Sequence, residues 1–108
     1  PEVTRKELAY YKTRLNRYGL PLDNRAVYTK TDWQVWTATL ADNRADFDCL
    51  MRPVYAFVNQ TQPRVPLTDW YMADTAKMRG FQARPVIGGV FMKMLDDAAT
   101  WKKWAKSR

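Results

Sequence analysis

A chain of 108 residues, 46% hydrophobic and 27% charged, holds one globular domain at most and is too apolar to be disordered. One cysteine and no histidine exclude an internal disulfide, the usual zinc constellations and any serine or cysteine nucleophile served by an imidazole base. The net charge of +7 sits at the two ends, with +3 in residues 1–17 and +4 in residues 102–108, so it reads as solvated helix faces and not as a nucleic-acid groove.

Thr4-Arg5-Lys6-Glu7 has the form of a capping box, and Leu8, Tyr11, Leu15 and Tyr18 follow at spacings of four and three, which predicts a first helix stopped by Gly19. Leu20 to Asn24 reads as a connector. Thr31 with Gln34 repeats the capping-box form, and Trp33, Trp36, Thr37 and Leu40 are expected on one face of a second helix that ends near Ala41-Asp42-Asn43. Phe47, Leu50, Met51, Val54, Phe57 and Val58 mark a third helix, with a kink or break expected at Pro53 because proline removes a backbone donor. Cys49 reads as a buried, inert thiol within it.

Residues 60–66 form a loop with two prolines, and residues 67–80 show no period, a length that in a compact domain is often functional. Pro85 opens a fourth helix expected to turn Ile87, Phe91, Met94 and Leu95 to the core. Gly88-Gly89 inside it asks for a reason such as the close approach of another helix. A last helix, 97–106, sets Trp101 and Trp104 opposite its lysines, whose charge suits the negative end of the helix dipole. No segment alternates as a strand does, so the class is all-α, with helices paired antiparallel as hairpins over residues 1–108.

Thr-Asp-Trp occurs twice, at 31–33 and at 68–70, and these copies supply the candidate site residues. A carboxylate at a helix start stays ionised and suits water orientation or the binding of an ammonium group, so Asp32 and Asp69 are the candidate catalytic acids. Trp70, Tyr71, Gln82 and Arg84 are the candidate substrate-binding residues: aromatics beside a guanidinium wall a polar pocket in which a carboxylate is gripped by two parallel bonds. Each has a plainer structural reading. Thr31 and Thr68 cap helices, the tryptophans and Phe81 pack, Arg84 pairs with Asp69, and Lys30 is solvated. No metal and no cofactor is called for.

The stretches YGLPLDNRAVYTKTDWQVWTATLA and VPLTDWYMADTAKMRGFQARPVIGGVFMKML closely resemble the C-terminal part of the central domain of the glutaminase A family, built as a six-hairpin α/α toroid. Other members tend to carry Asp or Glu within the stretch that here reads MADTAKMR, where Met72 stands and Asp74 is the nearest acid. The resemblance implies a larger secreted or periplasmic hydrolase that converts glutamine to glutamate and ammonia. This chain, which begins at Pro1 without an initiator methionine, would be its last two or so hairpins and inactive alone. Its partners would be the remaining hairpins, the N-terminal domains and a small-molecule substrate, with no nucleic acid and no membrane. The alternatives are a glycoside hydrolase-like enzyme on the same scaffold, which needs two carboxylates roughly 5–9.5 Å apart, and a non-catalytic helical interaction module.

Overall fold

The computed structural model describes residues 1–62 and 64–106. Pro63 of the expected loop and Arg108 of the basic tail lie outside them. Helix α1 runs over Glu2–Arg14, strand β1 over Tyr28–Lys30, α2 over Thr31–Ala38, α3 over Arg44–Gln60 and β2 over Trp70–Met72. A 3₁₀ helix, Pro85–Phe91, then leads into α4, Met92–Asp96, and α5, Ala98–Ala105.

Helix α1 begins at Glu2, so Thr4 and Glu7 lie inside it and form no capping box. Leu15 is extended and ends the helix at Arg14, well before the predicted stop at Gly19, which moves Tyr18 off the helical stripe. Leu8 is the buried contact of α1: it joins Ala38, Ala41 and Leu50 in one core cluster, with Tyr11, Leu15, Phe47 and Met51 against its edge. Helix α3 meets that cluster through Leu50 and a second one through Phe57. It starts at Asn43, whose side chain accepts from the Asp46 N–H at 2.9 Å, and it runs unbroken through Pro53. Burial of Leu50, Val54 and Phe57 along one stripe offsets the hydrogen bond the proline removes.

The all-α expectation is corrected by a short antiparallel ribbon that pairs Tyr28 with Met72, Thr29 with Tyr71 and Lys30 with Trp70. Alternation along these strands sends Thr29 and Tyr71 inward, both wholly buried, and leaves Tyr28, Lys30, Trp70 and Met72 on the other face, partly exposed. Tyr71 lies flat on Phe57, with ring centroids 3.4 Å apart and planes 4° from parallel. Together with Tyr18 and Ala76 they make the second core cluster.

The ribbon also sets the rotation of α2. Because the Thr31 N–H donates to the Asp69 carbonyl at 2.9 Å, the helix turns Val35 and Ala38 inward and leaves Trp36 and Leu40 about half-exposed, against the predicted face. Phe91, Met94 and Leu95, expected in the core, are likewise exposed, and Trp101 and Trp104 stand out from α5. Asp97 caps α5 by accepting from the Ala99 N–H.

Candidate functional site

The two Thr-Asp-Trp copies meet. The first follows β1 and opens α2; the second runs into β2, so strand pairing alone brings residue 31 beside residue 69. Neither threonine caps a helix. The Thr31 hydroxyl points at the Asp69 carbonyl at 3.4 Å. The Thr68 hydroxyl accepts from the Trp70 N–H and donates to the Phe81 carbonyl, tying the start of β2 to the chain that leads to Arg84.

Asp69 is 1% exposed and held by Arg84 in a two-point fork, Nε to Oδ1 at 2.9 Å and Nη2 to Oδ2. Burial pushes the Asp69 carboxyl up, but the hydrogen bonds and charge of Arg84, with the charge of Lys30, outweigh it and hold the group below its ordinary range. Arg84 is pushed up in turn, first by its bond to Asp69 and then, against the opposing effect of burial, by the charges of Asp69 and Asp32. Its side chain is 32% exposed, and its guanidinium lies 4.8 Å from the Phe81 ring centroid. The fork uses Nε and Nη2; among the described residues Nη1 makes no hydrogen bond.

Asp32 differs. It is 9% exposed, its Oδ1 is buried, and no hydrogen-bond donor within the described residues reaches that oxygen. The 3₁₀ helix crosses α2 here so closely that a Cβ on Gly89 would stand 2.7 Å from the Asp32 Cβ and 2.9 Å from the Trp36 Nε1. The expected reason for a glycine therefore holds at Gly89. At Gly88 a Cβ would meet nothing within 4 Å.

The remaining candidates divide. Trp70 is packed between Phe81, stacked at 5.7 Å, and Tyr28, edge-on at 5.9 Å, and its buried Nε1 has no partner among the described residues. The Arg79 guanidinium lies 5.5 Å and the Lys30 ammonium 5.8 Å from its ring. Tyr71 is wholly enclosed: its hydroxyl donates to the Tyr18 carbonyl at 2.6 Å and accepts from Gln34 Nε2 at 2.8 Å, and burial pushes the phenol strongly up. Gln82 donates to the Pro66 carbonyl at 2.9 Å and staples the loop. Asp74, the nearest acid in MADTAKMR, is exposed.

Sequence reasoning gave Gln34 a capping-box role and undervalued Lys30. Gln34 forms no capping box; its Oε1 accepts from the Leu20 N–H at 2.9 Å while Nε2 serves Tyr71, so one buried amide joins the connector, α2 and the ribbon. Lys30 is half-buried beside Asp69 and Trp70, where only the long-range ribbon could have placed it. A concavity of about 690 Å³, lined in part by Glu2, Arg5, Lys12, Leu40 and Asp46, shares no residue with 67–84. No group of three or more His, Cys, Asp or Glu side chains among the described residues is placed to hold a metal ion.

The motifs TKTDW, TDWY and GFQARPVIGG thus converge on one place, through Thr31 on Asp69, Arg84 on Asp69 and Gly89 on Asp32. The glutaminase A six helical-hairpin domain matches this sequence over residues 1–94. The chain belongs to that family. Glutaminase A of Aspergillus oryzae is 36% identical to it over 89 residues, 80% of this chain and 13% of the fungal protein. A probable glutaminase of Arthroderma benhamiae is 37% identical over 93 residues, 82% of this chain and 11% of its own length. The chain therefore spans about an eighth of the curated relatives it matches. No solved structure matches it. This glutaminase A family chain is a helical scaffold with a small ribbon, and among the described residues no helix is long and apolar enough to cross a membrane.

Proposed function

We propose that the chain supplies part of the substrate pocket of a glutaminase A-like hydrolase, which in the full-length protein converts glutamine and water to glutamate and ammonia. The carrying observation is the unpartnered, buried Oδ1 of Asp32 beside the saturated Asp69–Arg84 fork. A buried carboxylate oxygen without a donor is costly, and a substrate group or an ordered water in a functional pocket relieves that cost. Asp69 is already satisfied, so its part is to position Arg84; Asp32 is the acid whose buried oxygen is left without a donor. The names of the two relatives point to glutamine, and the convergence of three motif segments points to this cluster.

On this reading the remaining hairpins of a toroid complete the pocket and cover the exposed aromatic face, and the 108 residues alone turn over no substrate. A coupled ammonia assay on the full-length protein tests the reading. Asp32→Asn is expected to lower kcat/KM by about a hundredfold or more, with Asp69→Asn also impaired; full ammonia release by both variants would remove the cluster from the pocket.

A further inference from the structure

The ribbon has a third member on its far side. The Tyr71–Met78 bridge, with the Arg79 N–H donating to the Trp70 carbonyl and the Met72 N–H to the Lys77 carbonyl, both at 2.9 Å, lays residues 77–79 antiparallel against β2. Register then sets two rows on the outward face: Lys30, Trp70 and Arg79 in one, Tyr28, Met72 and Lys77 in the other. Three cations share that face, and neither row holds an acid.

Two of the charges crowd one ring. The Arg79 guanidinium lies 5.5 Å from the Trp70 centroid and 5.0 Å from that of Tyr28, and the Lys30 ammonium lies 5.8 Å from Trp70. Among the described residues, neither charged end forms a hydrogen bond or an ion pair. Asp69, whose charge reaches Lys30, is already taken by the Arg84 fork, and Asp74 on the intervening turn pairs with neither Lys77 nor Arg79. Like charges held this close repel, and an anion laid across them relieves the repulsion.

What the face can bind follows from what is already covered. Phe81 stacks on Trp70 at 5.7 Å and Tyr28 meets it edge-on at 5.9 Å, so with two cations beside it the indole has little ring surface left for a nucleobase or a sugar. The free groups are N–H donors, set beside a half-exposed Phe81. Carboxylates match them. Adjacent strands lie about 4.8 Å apart, so the backbones of residues 30 and 79 are separated by roughly 10 Å, a span that two acids a few residues apart can bridge.

We propose that in the full-length protein this face is covered by an acidic segment from outside these 108 residues, with one carboxylate on Lys30 and a second on Arg79. The contact fixes how a neighbouring hairpin sits on the ribbon, because a misplaced segment leaves both cations uncompensated. It rests on the reading that further hairpins belong to the protein, and not on glutamine hydrolysis.

Carbodiimide couples a lysine to a carboxylate only where the two touch, which makes it the test. In the full-length protein, Lys30 is expected to cross-link to an Asp or Glu outside residues 1–108, identified by peptide mass spectrometry. Arg79→Glu, at an exposed position, should cut that yield severalfold by repelling the segment, while the same charge reversal in the tail, Lys102→Glu, should leave it unchanged. Absence of any Lys30 cross-link overturns the proposal, and so do links confined to Asp32, Asp69 or Asp74. A Lys30 link that joins two copies gives the face to self-association and overturns it as well. So does a yield that Arg79→Glu leaves intact, or one that Lys102→Glu lowers equally. Ammonia release from glutamine, measured on the same protein, keeps the two readings apart. Turnover without the cross-link strikes this proposal alone, and the cross-link without turnover strikes only the hydrolase.

Discussion

The backbone N–H of Thr31 donates to the carbonyl of Asp69 at 2.9 Å, and this one bond joins the two copies of Thr-Asp-Trp. It extends the β1–β2 pairing by one step into the first turn of α2, so the start of that helix is fixed by a strand from the other half of the chain. The side chain of Asp69 then reaches Arg84, whose segment carries Gly89 against Asp32. The two copies thus bring one acid into the Arg84 fork and the other within reach of its charge.

The Asp69–Arg84 fork makes stability depend on acidity. Burial raises the Asp69 carboxyl and the arginine lowers it by more, so its value in the folded protein lies under the unfolded value of about 3.9. Between those two values the unfolded chain binds more protons. The contribution is therefore complete above about pH 4 and is lost as pH falls through the folded value. Denaturant titrations from pH 6 to pH 2.5 should show wild type losing its advantage over Asp69→Asn only in the acid part of the range. Parallel curves would mean that the fork contributes nothing to folding.

Gln34 is expected to be worth more than its exposed neighbours. Removing its amide strands the Leu20 N–H and takes one partner from the Tyr71 hydroxyl, both in buried surroundings. Each stranded group costs about 1–3 kcal/mol, so Gln34→Ala should lower the unfolding free energy by at least about that much. Tyr71→Phe removes the hydroxyl but keeps the ring on Phe57, and should cost less. Urea midpoints of the two variants order them, and the reverse order contradicts the hydrogen-bond account.

How far the sequence carried this reading differs by element. The stripes of α1 and α3 were legible because Leu8, Leu50, Val54 and Phe57 recur at helical spacing and bury where that spacing puts them. The ribbon was not, because three-residue strands are too short to show alternation, and their pairing spans some forty residues. The face of α2 was misread for a related reason: its apolar residues suggested one rotation, and the bond from Thr31 to Asp69 imposed another. Within the site, the pairing of Arg84 with Asp69 was open to anticipation from charge. The orphaned oxygen of Asp32 was not, since it depends on the approach of Gly89.

Gly88 and Gly89 offer a paired test of that approach. A Cβ at Gly88 meets open space, and alanine there should be neutral or stabilising by up to about 1 kcal/mol. At Gly89 the same methyl would press on Asp32 and Trp36, and overpacking of this kind costs about 1–3 kcal/mol. Thermal unfolding should therefore place Gly89→Ala below wild type and Gly88→Ala at or above it. Equal midpoints for the two variants would show that the crossing of α2 and the 3₁₀ helix is looser than described.

The exposed aromatic face predicts behaviour in solution. Trp36, Leu40, Phe91, Met94, Leu95 and Trp101 lie on α2, the turn after it, the 3₁₀ helix, α4 and α5, with Phe91 62% and Trp101 53% exposed. So many large apolar side chains, on elements that pack against one another, exceed what a monomer usually leaves to water. If the rest of a larger protein covers them, the 108 residues alone should self-associate. Sedimentation velocity from about 5 to 200 µM is expected to show a rising mean sedimentation coefficient, reduced by combining Leu95→Lys with Trp101→Lys. Those substitutions leave the buried clusters around Leu8 and Phe57 untouched, so the circular dichroism should not change. A chain that stays monomeric over that range would show that this face needs no cover, and the place proposed for it inside a toroid would go with it.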